Sequence, residues 1–478
     1  MKKLLILFSI PLLLSGCADL LDEAPKGVAV ETFYNTAEEV ETAVNAIYSP
    51  LRGVRPEQIC ILDAHTDWGF GRGSRAQYND FTALNSTNIN TAAGRWRDFY
   101  LGIRNANLVI ANVAGNETID PVVLSQYVAE AKFLRAWAYF DLVRNWGGVP
   151  LRTEANLEEP DVPRSSEEDV YAFILADLTE AEANLPDQPK DIGRPSRLVA
   201  KTLLADVYLQ LGRFEEAREK ANDVIQSGEY SLVPVSSFED FQQKIFGPDL
   251  LTSTEEIFYM KYSRIQGQGN YILWILNHPS TGLYNYGGAY AHYGDASGRF
   301  YTEWDDADIR KQLWDKIDFG LGPNTLVSKK YVDQNSVEQS RGAGNDLPIY
   351  RYSEVLLQFA EADCRVAGGP TPEGIEALNK VHRRAYGYDP TTPSPVDFNI
   401  ADYNEESFAD LVLQERAYEF QFEGKRWLDL KRTGKAAEII MMNRELTIAE
   451  AHYLWPIPLD ELNFNDAMDP QTDQNPGY

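Results

Sequence analysis

Residues 415–429, "ERAYEFQFEGKRWLD", concentrate the ionisable side chains Glu415, Arg416, Glu419, Glu423, Arg426 and Asp429. Two carboxylates facing one another across a cleft are the machinery of glycoside hydrolysis. With 72 acidic residues in the chain, a close pair is easy to find by chance. On a helix, Glu415, Glu419 and Glu423 fall on successive turns, and Arg426 stands three residues beyond Glu423. That spacing predicts an ion-pair network tying helices together. A catalytic pair would also need a cleft and a defined separation, and the spacing supplies neither.

Two loops offer chemistry of another kind. "DAHTDWGFGRGSRAQYND", residues 63–80, holds Gly69, Gly71, Gly73 and a tryptophan, with no helical period. Trp68 could stack on the flat face of a sugar, and Asp67, Arg72 and Arg75 could bond its hydroxyls, an arginine fork reaching two oxygens at once. The alternative is a surface loop with incidental charges. No strand–loop–helix context surrounds these glycines, so they form no phosphate cradle. The second loop, "GLYNYGGAYAHYGDASGRFYTEW", places seven aromatic rings and five glycines in residues 282–304. Tyr284, Tyr286, Tyr290, His292 and Tyr293 are the candidates for display to a ligand. Trp304 is open between display and packing, while Phe300 and Tyr301 stand where they could pack against "EWDDADIRKQLW". The five histidines make no metal-ligand spacing. Glu303, Asp305, Asp306 and Asp308 lack the glycine of a calcium loop and read as acids at a helix start. No metal and no cofactor is expected.

The composition sets bounds on these readings. The 478 residues can bury a large core, at 44% hydrophobic and 24% charged. A net charge of −28 argues against nucleic acid as a partner, because phosphate binding needs a basic surface. Aromatics reach 12%, with 26 Tyr and 9 Trp, a surplus often found at binding surfaces. Cys60 and Cys364 fit no ligand spacing and read as unpaired buried thiols.

"MKKLLILFSIPLLLSGC" opens the chain as a targeting segment: two lysines, an apolar run too short to span a bilayer, then small residues before Cys17. "LSGC" looks like a bacterial lipobox, with residues 1–16 the signal peptide and Cys17 the lipidated residue. Residues 17–30 suit an extended tether. An exported, membrane-tethered protein with a soluble body is expected.

The body must position the two loops, and it reads as mainly helical. Residues 38–51 and 96–114 are amphipathic, Trp96 falling on an apolar face. "AEAKFLRAWAYFDLVRNWGGVP", 129–150, is apolar nearly all round and stops at Gly147-Gly148. In 196–228, Ala200, Leu203, Leu204, Val207, Tyr208 and Leu211 mark one helix, Gly212 breaks it, and Phe214 to Ile225 form another. Ala205, Tyr208, Ala217 and Ala221 match the spacing of a tetratricopeptide (TPR) helix pair. A second pair follows in 353–386. Residues 255–263 alternate like a strand, and 264–346 is loop-rich, with too many rings for disorder.

"FLRAWAYFDLVRNWGGVPL", "RPSRLVAKTLLADVYLQLGRFEEAREKANDVIQSGEYSL", "LPIYRYSEVLLQFAEA", "ERAYEFQFEGKRWLDLKR" and the ending "YLWPIPLDELNFN…QTDQNPGY" together resemble the SusD/RagB family of Bacteroidota surface lipoproteins. The resemblance runs from Cys17 to the last residue. It implies a mostly α fold with a TPR-like helix-pair scaffold, a loop-rich ligand-binding region and minor β. Residues 31–478 would then be one SusD-like domain, with helix pairs near 129–228 and 353–386 and the binding region at 264–346. It also implies a lipid anchor on the cell-surface side of the outer membrane and a TonB-dependent, SusC-like transporter as partner. The implied function is capture of a glycan without catalysis. A peptide-capturing member and a secreted glycoside hydrolase are the competing readings. The family's ligand contacts lie in variable loops, so no binding residue transfers by motif. Asp67, Trp68, Arg72, Arg75, Tyr284, Tyr286, Tyr290, His292, Tyr293 and Trp304 rest on their own chemistry.

Overall fold

The computed structural model describes residues 33–81, 84–85, 88–283, 288–336 and 342–478. The first helix, α1, spans Ala37–Ala64 and starts with a capping box: the Thr36 side chain accepts from the Glu39 amide, and the Glu39 carboxylate accepts from the Thr36 amide. It absorbs Pro50 and Pro56 and so runs well past the amphipathic stretch read from the sequence. α2 (Ala93–Val113) and α3 (Pro121–Trp146) follow. Asp120 caps α3, Pro121 occupies its first turn, and Gly147 ends it at φ 75°, a conformation that favours glycine. α4 is Glu167–Asn184. α5 (Arg197–Gln210) and α6 (Phe214–Ser227) form the first expected pair, turning at Gly212.

The middle of the chain is built of short elements: α7 (Phe238–Phe246), β1 (Glu256–Met260), α8 (Ile272–Leu276), β2 (Tyr293–Asp295), α9 (Arg299–Thr302), β3 (Trp314–Lys316), β4 (Thr325–Ser328) and β5 (Leu347–Arg351). β1 pairs antiparallel with β5, and β2, β4 and β3 form a three-stranded antiparallel sheet with Tyr293 opposite Val327 and Trp314 opposite Ser328. That small sheet lies inside the segment 264–346 read as loop-rich, and its strands of three and four residues are too short to show a period. α10 (Tyr352–Ala367) and α11 (Pro372–Ala385) are the second expected pair. α12 (Glu405–Glu419), α13 (Arg426–Arg432), α14 (Ala436–Arg444) and α15 (Leu459–Phe464) complete the described chain.

One large core joins residues of α1–α6 with α10–α13, and α3 contributes to it on nearly every side, from Phe133 to Trp146. Trp96, Trp137 and Trp427 are buried in it, as their helical positions predict. Each buried side chain such as Phe140 or Leu204 contributes about 1.5–3 kcal/mol. A second cluster, which includes Ile59, Phe241, Ile272, Trp304, Trp314 and Phe422, lies under the middle segment. Cys60 and Cys364 are free and buried.

Candidate ligand-binding cleft

The loop after α1 is drawn tight against itself. Thr66 donates its hydroxyl to the Asp63 carbonyl at 2.6 Å and accepts from the Gly69 amide at 3.1 Å. A Cβ on Gly69 would stand 2.2 Å from the Asp63 carbonyl oxygen, and one on Gly71 2.5 Å from that of Arg75. These glycines are therefore required by close backbone approach. The loop is then stitched to β2: the Phe70 amide donates to the Tyr293 carbonyl at 2.8 Å, the Tyr293 amide donates back at 2.9 Å, and the two rings stack at 5.2 Å.

A cavity of about 530 Å³ opens where this loop meets the turn at 294–301 and the end of α14. Phe70, Tyr301, Met442, Asn443 and Arg444 are among its lining residues. A further cavity of about 350 Å³ adjoins it, sharing Asp67, Arg299, Phe300, Met442 and Asn443. The two make one open cleft of the size that holds small ligands. Arg444 is fixed at its wall: its guanidinium donates to the Thr66 carbonyl at 2.9 Å and to the Asn79 carbonyl, and it lies 4.4 Å from the Phe70 ring centre. Burial pulls its pKa down to about 10, against the partial support of Asp67 and Asp80. Glu445 follows in the left-handed region at φ 53°, an uncommon conformation for this residue type at the cleft's edge.

The residues expected to bind ligand meet different fates. Arg72 is half-buried, donates to the Ala289 carbonyl at 3.2 Å and sits 5.4 Å from the Phe319 ring, which in turn stacks near His278. Tyr290 is half-buried beneath Arg75, whose guanidinium lies 3.7 Å from its ring. Tyr293 is half-buried beside Phe70. These three keep part of their surface, but none of them lines the cleft. The expected display of Trp68 and His292 is corrected by their burial, and Trp304, left open between display and packing, is packed. Trp68 is 4% exposed because its ring fills the space between Phe422 at 5.0 Å and Trp314 at 5.8 Å. Trp304 stacks on Tyr418 at 4.4 Å and donates its indole N–H to Asp308 at 2.9 Å. His292 is buried, and burial pushes it down to about 3. Asp67 lines the cleft, yet Arg426 takes both its oxygens, at 2.9 and 2.8 Å, so it is not free for hydroxyls. Arg75 is likewise held by Glu57. Tyr284, Tyr286 and Cys17 lie outside the described residues, as do the signal segment and tether.

Phe300 packs on Trp304 and Tyr418, and Tyr301 lies under Lys311, as their nearness to the acidic stretch suggests. The acids there serve the fold. Glu303 pairs with Arg299 and Asp306 with Lys311, Asp305 accepts from Tyr386 at 3.0 Å, and Asp308 accepts from the Arg310 amide.

The ionisable cluster at 415–429 is an interior network. Arg351, fully buried, contacts Glu255 at 2.9 Å, Glu423 at 2.9 Å and Glu419. Glu419 also meets Arg384, and Arg310 at 2.9 Å. Burial alone would raise the Glu419 carboxyl, but Arg351, Arg384 and Arg310 together hold it well below the usual range. Glu415 is brought down to about 2 by Arg310 and His382 against the same burial. Arg416 binds Asp429 at 2.8 Å. Carboxylates so fully engaged by cations are poorly placed to exchange protons with a substrate.

Phe70 and Arg444 escaped the sequence reading, and Tyr301, read as packing, also lines the cleft. Phe70 sits inside the loop singled out, and its aromatic type was the available signal. Arg444 closes an α-helix with no motif around it.

The comparisons agree with this architecture. A family model described as the SusD family matches residues 281–478, and one described as "Starch-binding associating with outer membrane" matches residues 24–209. SusD-like protein P2 of Formosa agariphila is 28% identical over 528 residues, covering 100% of both chains. The crystal structure of a SusD superfamily protein from Parabacteroides distasonis superposes with a TM-score of 0.74 at 25% identity, over 92% of this chain and 99% of that one. The surface glycan-binding protein A of Bacteroides thetaiotaomicron in complex with laminarihexaose shares the fold, with a TM-score of 0.73 at 22% identity over 92% and 99% of the two chains. With its paired helices, its small central sheet and matches spanning both halves, the chain belongs to the SusD/RagB family.

Proposed function

We propose that this protein is a surface glycan-binding lipoprotein that captures an oligo- or polysaccharide in the cleft and delivers it to a SusC-like TonB-dependent transporter, without catalysis. The observation that carries the reading is the cleft itself. Phe70 and Tyr301 offer half-buried rings beside Arg444 and Asn443, which pairs apolar faces for sugar C–H groups with polar groups for hydroxyls. The glycan-bound relative of the same fold, and the outer-membrane association in the matched family description, support it. A lipid on Cys17 would hold the body at the outer-membrane surface. The carboxylates at 415–429 are held by arginines in the interior, which removes that cluster as a hydrolytic pair.

Affinity electrophoresis of the mature protein in gels cast with purified polysaccharides tests the reading. Retardation in at least one glycan gel, with no shortened product after incubation, is the expected result. Migration unchanged in every glycan gel would sink it. Co-purification of a β-barrel transporter with the tagged protein from outer membranes tests the delivery step.

A further inference from the structure

The solvent face of α2 carries a stripe that the cleft does not use. Arg97, Tyr100, Leu101 and Arg104 recur at steps of three and four, so they share one side of the helix. Arg152 reaches the same place from the segment after α3, and with Leu157 these residues enclose a cavity of about 330 Å³. Three guanidinium groups and no carboxylate line it, in a chain of net charge −28.

The arginines are differently committed. Arg104 is exposed and makes no hydrogen bond or salt bridge among the described residues. Arg97 pairs only with its neighbour Asp98, at 3.1 Å, and its side chain is 76% exposed. Arg152 is anchored through its backbone: its amide donates to the Tyr139 hydroxyl at 2.8 Å, and its carbonyl accepts from Asn107 at 2.9 Å, both partners being buried. Its guanidinium donates to the Pro160 carbonyl at 3.0 Å and reaches Glu461 at 3.4 Å. The cations of the cleft are engaged otherwise: Arg299 by Glu303, Arg426 by Asp67, Lys435 by Asp410, and Arg444 by backbone carbonyls.

We propose that the α2 cavity is a second ligand site and that it takes an anionic sugar unit, a ring bearing a carboxylate or a sulfate. Tyr100, Leu101 and Leu157 provide the apolar floor for the ring face. Arg97 and Arg104 provide forks that bind two oxygens of one anion at once. A neutral sugar would leave the guanidiniums unused, and a bare anion would leave the floor unused. The volume suits a ring-sized ligand, at the small end of ordinary pockets.

NMR titration of the protein with glucuronate, glucose 6-sulfate, glucose and inorganic sulfate tests the site. The charged sugars should perturb resonances in 97–104 and 152–157, glucose should not, and inorganic sulfate should bind at least tenfold more weakly. The double variant Arg97→Ala/Arg104→Ala, altered only at exposed positions, should lose at least tenfold in affinity for the charged sugars at unchanged Tm. The stronger of the two sugar arms identifies the anion. Glucose or free sulfate binding as well as the charged sugars, absence of any charged-sugar perturbation in these segments, or full affinity in the double variant would each overturn the proposal. All of these outcomes leave the cleft reading untouched, because the two cavities share no lining residue.

Discussion

The guanidinium of Arg444 lies 4.4 Å from the centre of the Phe70 ring, and that ring stacks on Tyr293 at 5.2 Å. Three segments remote in the chain, the end of α14, the loop after α1 and β2, meet in this one run of planar groups. The cleft wall is therefore made by tertiary packing, and its aromatic faces hold their positions only while the run is intact.

Replacing Arg444 by alanine should lower glycan affinity about tenfold or more, with a smaller effect on stability. The cation–π contact is worth about 0.5–2 kcal/mol, and the carbonyls of Thr66 and Asn79 lose their donor. Arg444→Lys should not restore binding, because an ammonium cannot lie flat on Phe70 while spanning two carbonyls. Isothermal titration with the glycan found by affinity electrophoresis gives the comparison; an Arg444→Ala protein that binds like the parent would remove this residue from the site.

Trp68 should behave as a core residue. Trp68→Ala is expected to cost about 3–5 kcal/mol of stability, as for other large buried rings, and it would also reshape the cleft, whose wall this ring helps to line. Trp68→Phe should be far milder, since the buried indole N–H has no hydrogen-bond partner among the described residues. Urea denaturation of both variants separates the two. Equal destabilisation by Ala and Phe would contradict the packing account.

The scaffold was legible in the sequence because helices of fourteen or more residues repeat their apolar stripe several times; α5 and α6 show it in Leu203, Leu204 and Ala217. The ion network was legible in its charges but only partly in its geometry: Glu415 and Glu419 share α12, whereas the helix ends there, Glu423 joins from the turn before α13, and Arg426 pairs with Asp67. The cleft was only half legible. Residue type marks Trp68 and Trp304 as rings able to stack on a sugar, but whether a ring is displayed depends on partners elsewhere, here Phe422 and Tyr418. Arg444 has no local signal at all, since its partners are backbone carbonyls of a distant loop. Asp67 was misjudged for the same reason: Arg426, which occupies it, is far away in sequence.

Arg351 should be among the most sensitive positions for stability. Arg351→Met would leave Glu423 and Glu255 with fewer cations in a fully buried setting, a change that typically costs about 3–5 kcal/mol. Calorimetry should show a clear fall in Tm. An unchanged Tm would mean that Arg310, Arg384 and Lys330, whose ammonium lies 2.6 Å from Glu423, suffice to balance these carboxylates.

In mild acid His65 and His292 should each contribute a loss of stability. His65 is fully buried with neither ring nitrogen partnered among the described residues, and burial, aided by Lys431 and Arg444, pushes its pKa well below the ordinary value; His292 is brought to about 3. Both folded values lie below the unfolded value of about 6.5, so the unfolded chain binds more protons in acid. Their contribution is complete above pH ~6.5 and is lost as pH falls toward the folded values, by up to about 1.4 kcal/mol per pH unit for each histidine. Asp63 works in the opposite direction, because burial raises its carboxyl. The informative quantity is therefore the difference between parent and variant. Between pH 7.5 and 5.0, the urea midpoint of His65→Met should fall less than that of the parent protein; parallel curves would show that His65 takes up no proton on unfolding.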